Sequence, residues 1–160
     1  MIKKRCGWVG ESNPLMLECH DREGGVLVHD DGRPFEFLVL QGAQAGLNWS
    51  IILNKREGYR RAFSGFDPNK VARYAERRVQ KLVLDSGIIR NRQKIQSAVR
   101  WRVMKQIPAT SAESDAFSKD LKRRGFSFVG PPIIYAHMQA VGMVHDHLVD
   151  CFRYREVATA

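Results

Sequence analysis

Apolar positions recur along this chain mostly at helical spacing. The run PFEFLVLQGAQ, from about Pro34 to Gln44, is apolar on nearly every side and predicts a buried helix. Gly46 and Asn48 punctuate it. Asn48 is a good N-cap for a second helix that carries Ile52, Tyr59 and Phe63 on one face. The stretch GFDPNKVARYAERRVQKLVLDSG then opens with Asp67 as N-cap and Pro68 at the first helical position. Val71, Tyr74, Val79 and Leu82 supply its apolar positions, Gly87 breaks the pattern, and IIRNRQKIQSAVRWRV resumes it. The reading there is helix, short hairpin, helix, over about residues 70–100.

Farther on, Thr110 and Glu113 have capping-box spacing, and Gly125 stops the helix that they open. A last helix is expected from Ile133 to about Phe152, with a soft centre at Gly142 and a frayed tail beyond it. Residues before Pro34 are mixed and turn-rich. Only GGVLVH alternates as a strand would. The expected class is all-α, and 160 residues suit a single domain spanning 1–160.

Composition narrows the partners. At 44% hydrophobic residues the chain should fold rather than stay disordered, and no apolar run is long enough to cross a bilayer. The start, MIKKRCGWVG, is basic but lacks the apolar segment of a secretion signal, so a cytoplasmic location is expected. The net charge of +9 points to a polyanion, most simply nucleic acid. Three cysteines form an odd count, which argues against a disulfide framework and leaves thiols for a metal. No phosphate-binding loop, dinucleotide fingerprint or Ser-His-Asp pattern is present, so nothing suggests ATP or NAD.

Three constellations could carry chemistry. His147 and Cys151 are four residues apart on the expected last helix, so both project from one face, while Cys6 and His20 lie near the N-terminus. Together they are the donor set of a Cys₂His₂ zinc site that would staple the two ends of the chain. The spacing matches no standard zinc finger, and each residue also makes sense as an ordinary buried thiol or surface histidine. In the hairpin, Gly87 and Ile88 are followed by Arg90, Arg92 and Lys94. The N-terminus of its second helix would suit a DNA phosphate, and the same sequence also describes a solvated basic face. Trp8 and Trp49 offer faces on which an extruded cationic base could stack, or they belong to the core.

Taken in order, RCGWVG, CHDRE, GAQAGLNWSIILNKREGYRRAF, FDPNKVA, GIIRNRQKI, SDAFSKDLKRRGFSFVGP and MQAVGMVHDHLVDCFRY resemble the DNA-3-methyladenine glycosylase I family over nearly the whole chain. The resemblance implies a helix-hairpin-helix glycosylase fold. It implies a structural zinc ion on Cys6, His20, His147 and Cys151, and a DNA anchor at Gly87, Ile88, Arg90, Arg92 and Lys94. It implies a base pocket at Trp8, Cys19, Gln41 and Trp49, with Gln41 and Trp49 in the catalytic positions. The activity implied is that of a monomer that excises 3-methyladenine from double-stranded alkylated DNA. Water would be the nucleophile, and no strand-nicking lyase step would follow.

The chain departs from the family pattern at the pocket. Gln41 stands where the family has glutamate, Cys19 where a tyrosine is usual, Gly24 where a tryptophan is usual and Pro34 where a leucine-like residue is common. A helical stretch that the family carries between KIQSAV and WRVMKQIPAT is absent, so one helical layer should be partly truncated. Losing a charge-assisted hydrogen bond at Gln41 costs about 1–3 kcal/mol, or roughly ten- to a hundredfold in rate or recognition. Two functions compete on these residues: a glycosylase of reduced rate, and a catalytically inactive zinc-containing DNA-binding homologue.

Overall fold

The chain is described here from a computed structural model covering residues 3–10, 12–28, 30, 32–99, 114–144, 147–148 and 150–158. The expected capping box at Thr110 and Glu113, and the point where the family's extra helical stretch is absent, lie outside the described residues. Ten α-helices are described: α1 Pro14–Glu18, α2 Gly32–Gln44, α3 Trp49–Asn54, α4 Arg56–Ala62, α5 Pro68–Val71, α6 Glu76–Leu84, α7 Arg92–Val99, α8 Ser114–Arg123, α9 Pro131–Ala140 and α10 Phe152–Ala158. A π-helical turn at Cys19–Glu23 and a 3-10 turn at Ser64–Phe66 join them. No strand occurs among the described residues, so the alternating run at Gly24–Val28 folds as loop.

Helix α2 is the axis of the molecule. Phe35 through Gln41 are all buried, as a helix apolar on every side must be, and α3, α4, α7 and α9 pack around it. Phe35, Leu38, Ile52, Phe63, Phe66, Ile88, Ile95, Ile134 and Met138 form the centre of the core. The peripheral α6 is the opposite case, burying only Val79 and Leu82. Local caps act as the sequence predicts. Asn48 Oδ1 accepts from Ser50 N at 2.9 Å, and Asp67 Oδ1 accepts from Asn69 N at 2.9 Å and Lys70 N at 3.1 Å.

Three expected elements are corrected. The helix opened by Pro68 does not run through to Leu84. It stops after Val71, because the Tyr74 hydroxyl reaches back to Ala62 O at 3.0 Å and Ser64 Oγ at 2.6 Å, and Ala75 turns extended before α6. The last expected helix also ends early, at Ala140, and the described residues from there to Cys151 are not helical. Gly142 adopts φ +79°, a Cβ there would fall 2.6 Å from the Val26–Leu27 peptide, and Met143 N closes on Met138 O at 2.8 Å. The soft centre is therefore a helix end. The tail expected to fray forms α10, whose first residue donates its N–H to Lys4 O at 3.0 Å.

The hairpin of α6 and α7 is locked to α4 through two glycines. A Cβ at Gly58 would fall on the Gly87 carbonyl, 2.7 Å from its carbon. Lys94 adds a second tie by donating to Ala43 O at 2.8 Å and Ala45 O at 2.6 Å, which caps the C-terminal end of α2. Gly58→Ala is expected to push the hairpin off α4 and to destabilise the protein by about 2–4 kcal/mol, as overpacking against backbone does. A denaturant melt with an unchanged midpoint would refute this.

His137 on α9 is wholly buried, and neither ring nitrogen has a hydrogen-bond partner. Burial pushes its pKa down to about 4 from an ordinary value of 6.5. The unfolded chain thus binds a proton that the folded chain refuses, so this group costs stability as pH falls from 6.5 toward 4. The loss should reach about 3 kcal/mol. His137→Leu is expected to remove that slope and to be neutral or stabilising at pH 7, which stability measured across the same pH range will show.

Candidate functional site: a base-sized pocket beside a cysteine–histidine cluster

The π-helical turn at Cys19–Glu23 divides its side chains between two sites. Cys19 faces a cavity of about 310 Å³, and His20 turns to the other side, fully buried. The cavity lies between this turn, α2, α3 and α9. Trp8, Phe37, Gln41, Trp49, Ala136 and Gln139 line it, along with Cys19, Gly24, Gly25 and His147. Both tryptophans of the sequence reading are thus at the pocket. Trp49 is half-buried at its wall, and Trp8 is 59% exposed at its edge, where it meets the His20 ring edge-on at 5.5 Å.

Gln41 is the buried polar group of the wall, at 3% exposure. Its Nε2 donates to Ala136 O at 3.0 Å, while its Oε1 is buried with no partner. Because a carbonyl can only accept, Ala136 fixes which way the amide lies. Gln41 thus leaves an unsatisfied acceptor buried in the pocket wall. No acid among the described residues lines the cavity, and burial pushes the Cys19 thiol up to about 11, so that residue is neutral as well.

On the far side of the same turn the four expected ligands converge. The donor atoms of Cys6, His20, His147 and Cys151 all lie within 4.8 Å of one another. Cys151 Sγ is 3.4 Å from His20 Nε2 and 3.9 Å from His147 Nδ1, and Cys6 Sγ is 3.7 Å from His147 Nδ1. The remaining ring nitrogens are both engaged. His20 Nδ1 is 2.8 Å from Asp21 Oδ1, and His147 Nε2 is 3.1 Å from Gly24 O. This is how metal-bound imidazoles are oriented. Asp21 is held in turn by Arg5 at 2.7–3.0 Å, and that guanidinium draws its carboxyl down to about 2. The expectation that His147 and Cys151 share a helical face is corrected: both precede α10, outside any helix, and tertiary packing brings them together.

The hairpin residues separate by role. Arg90 is exposed in the loop. Arg92 is exposed and paired with Glu76 across the hairpin. Ile88 is buried in the core at 2% exposure, and Gly87 abuts α4. Lys94, read in the sequence as part of the basic anchor, has its ammonium on α2 instead. Of the remaining pocket departures, Gly24 borders the cavity. Pro34 simply enters the first turn of α2, and the structure gives no further account of it.

Sequence reasoning did not single out Phe37, Gln139, Gly25, Asp21 or Arg5. Asp21 had a signal, since a carboxylate directly after a candidate ligand histidine can orient its ring. Phe37 and Gln139 had none, because only the packing of α2 against α9 places them on the cavity.

A model of the methyladenine glycosylase family matches residues 8–101 and 98–154. DNA-3-methyladenine glycosylase 1 of Escherichia coli (strain K12) is 42% identical over 182 aligned positions, covering 94% of this chain and 97% of that protein. The alignment exceeds the length of this chain, and the family match divides near residue 100, where the sequence reading places the absent stretch. Among solved structures, a 3-methyladenine DNA glycosylase I superposes with a TM-score of 0.83 at 38% identity, covering 93% of this chain and 98% of the other. The Staphylococcus aureus enzyme, described for its recognition of 3-methyladenine, superposes with a TM-score of 0.81 at 27% identity, covering 92% and 95%. With this sequence match over most of its length and the same helical architecture, the chain belongs to the methyladenine glycosylase family.

Proposed function

We propose that this protein is a monofunctional DNA glycosylase that hydrolyses the N-glycosidic bond of 3-methyladenine in alkylated duplex DNA. The observation that carries this reading is the linkage of pocket to hairpin. Helix α2 carries Gln41 in the pocket wall and ends on the Lys94 ammonium of α7, so the base site and the DNA-facing hairpin are one rigid body.

The chemistry asks little of the protein. Methylation at N3 makes the purine a cation and weakens its bond to the sugar, so the leaving group needs no protonation. The base must be extruded, held and told apart from normal bases. Trp8 and Trp49 supply π-faces for a delocalised cation. Gln41 Oε1 accepts from the exocyclic amine edge, which gives direction without charge. Water attacks the sugar carbon as the base leaves.

Cys6, His20, His147 and Cys151 would hold zinc. Tetrahedral zinc, with bonds of about 2.3 Å to sulfur and 2.0 Å to nitrogen, separates S and N donors by about 3.5 Å. The 3.4–3.9 Å spacings here fit that requirement. The ion's part is structural, tying the N-terminal loop to the segment before α10. Release of free 3-methyladenine from methylated DNA tests the activity directly, and no release by a folded, DNA-binding protein would favour the inactive homologue.

DNA is held by the start of α7, at the positive end of the helix dipole, and by Arg90. Arg90→Ala is expected to weaken binding to any duplex and to lower the salt slope of log K by about 1. Lys94→Ala is expected to reduce stability first, because it uncaps α2. A salt titration of DNA binding for both variants separates these roles, and an unchanged slope in Arg90→Ala would remove it from the interface.

A further inference from the structure

Gly24 is a glycine without a local reason. Its backbone, at φ −60° and ψ 127°, is one that any residue adopts. A Cβ built there would meet Cys19 O and His20 O at 3.6 Å and His147 Cε1 at 3.9 Å, which is ordinary contact. Its neighbour differs: Gly25 has φ +73°, and a Cβ would press on Val157 at 3.2 Å and on the His147 ring at 3.4 Å. Gly25 is required by the fold and Gly24 is not. What the bare backbone at Gly24 does is leave space in the wall of the cavity. Cys19, five residues earlier, adds to that space with a short side chain.

The cavity offers an apolar occupant area to bury. Ala140 and Val144 are aliphatic, Trp8 is open at the edge, and both His147 ring nitrogens are turned toward the cysteine–histidine cluster and Gly24 O. Gln44 and Gln139 are the polar side chains of the wall besides Gln41, and an aromatic or aliphatic substituent would bury area against the aliphatic part and Trp8.

We infer that the pocket takes adenines whose N3 substituent is larger than methyl, an aralkyl group above all, and that Gly24 makes the room. The inference rests on the base-pocket reading above and extends its substrate class. Gln41 engages the amine edge common to all such adenines, and the wall at Gly24 sets the size limit of the substituent.

The test is calorimetric titration of the whole protein with free 3-methyladenine and free 3-benzyladenine, for the parent and for Gly24→Leu and Gly24→Ala. Base release from methylated DNA is measured alongside. The parent should bind the benzyl compound at least as tightly as the methyl one. Gly24→Leu should weaken the benzyl compound at least about tenfold more than it weakens the methyl compound. Gly24→Ala should fall between them. A cooperative thermal melt near the parent's midpoint shows that the variants are folded. A parent that releases base from methylated DNA but rejects 3-benzyladenine overturns the inference and leaves the glycosylase reading intact. Benzyl binding that Gly24→Leu does not touch overturns it as well, as does binding of neither compound. Benzyl binding lost in Gly24→Leu, without any base release, supports the inference while the catalytic reading fails.

Discussion

Removing the metal with a strong chelator is expected to lower the melting temperature by about 10 °C or more. Structural zinc contributes about 10 kcal/mol or more in small folds that depend on it. This chain has a separate core around α2, so only part of that energy should appear in its stability. Even a third of it corresponds to a shift of roughly 10 °C in a domain of this size. The cluster closes a second, smaller group of buried residues, Cys6, Val9, Met16, Cys19, Leu53 and Cys151, and joins the two ends of the chain beside the Phe152 N–H to Lys4 O bond and the Lys4–Asp150 ion pair. Cys151→Ser should begin with the lowered melting temperature and should not respond to chelator. Restoring zinc should rescue the parent alone. His147 belongs to the cluster and also lines the pocket, so the stripped protein should bind 3-methyladenine more weakly too. A parent whose melting curve ignores the chelator would remove the metal assignment.

Gln41→Glu is expected to raise release of the cationic base by about ten- to a hundredfold, and at the same time to destabilise the free protein. The gain follows from replacing a neutral acceptor by a charged one in a pocket that no acid among the described residues lines. The loss follows from what the amide does now. Gln41 Nε2 donates to Ala136 O at 3.0 Å, and a carboxylate has no hydrogen to donate. The new acid would sit buried against a carbonyl oxygen, which raises its pKa in the folded state. A raised carboxyl pKa means that the folded protein holds a proton the unfolded chain has lost. The destabilisation should therefore be small below about pH 4 and grow as pH rises through neutrality. Base release at pH 7, together with melts at acid and neutral pH, checks both halves. Equal rates for parent and variant would show that aromatic stacking and the neutral acceptor suffice.

Much of this was legible in residue order. Asn48, Asp67 and Pro68 announced helix starts that the structure keeps, since a cap is a contact between neighbours in sequence. The apolar run around Phe37 and Leu40 announced a central helix, because a segment with no polar face must be surrounded. The four candidate ligands, and Trp8, Gln41 and Trp49, were recognisable from the ordered motifs that carry the family resemblance, and all of them fall at the two linked sites.

Other features could not be read locally. Lys94 looked like one more cation in a basic hairpin, but its ammonium lies on carbonyls some fifty residues away in sequence. Gly142 looked like a weak point in one long helix and is an end, because the backbone of Val26 and Leu27 passes against it. Gly24 and Gly25 read alike in the sequence, and only their surroundings show that one is needed by the backbone and the other leaves room in the pocket. The sequence by itself determined the helical class, the caps, the charge and the donor set, all of which depend on residue type and near spacing. The tertiary structure decided which cation faces solvent, which way the Gln41 amide lies and which glycine is free to change. Those outcomes depend on atoms that meet only after distant segments have packed.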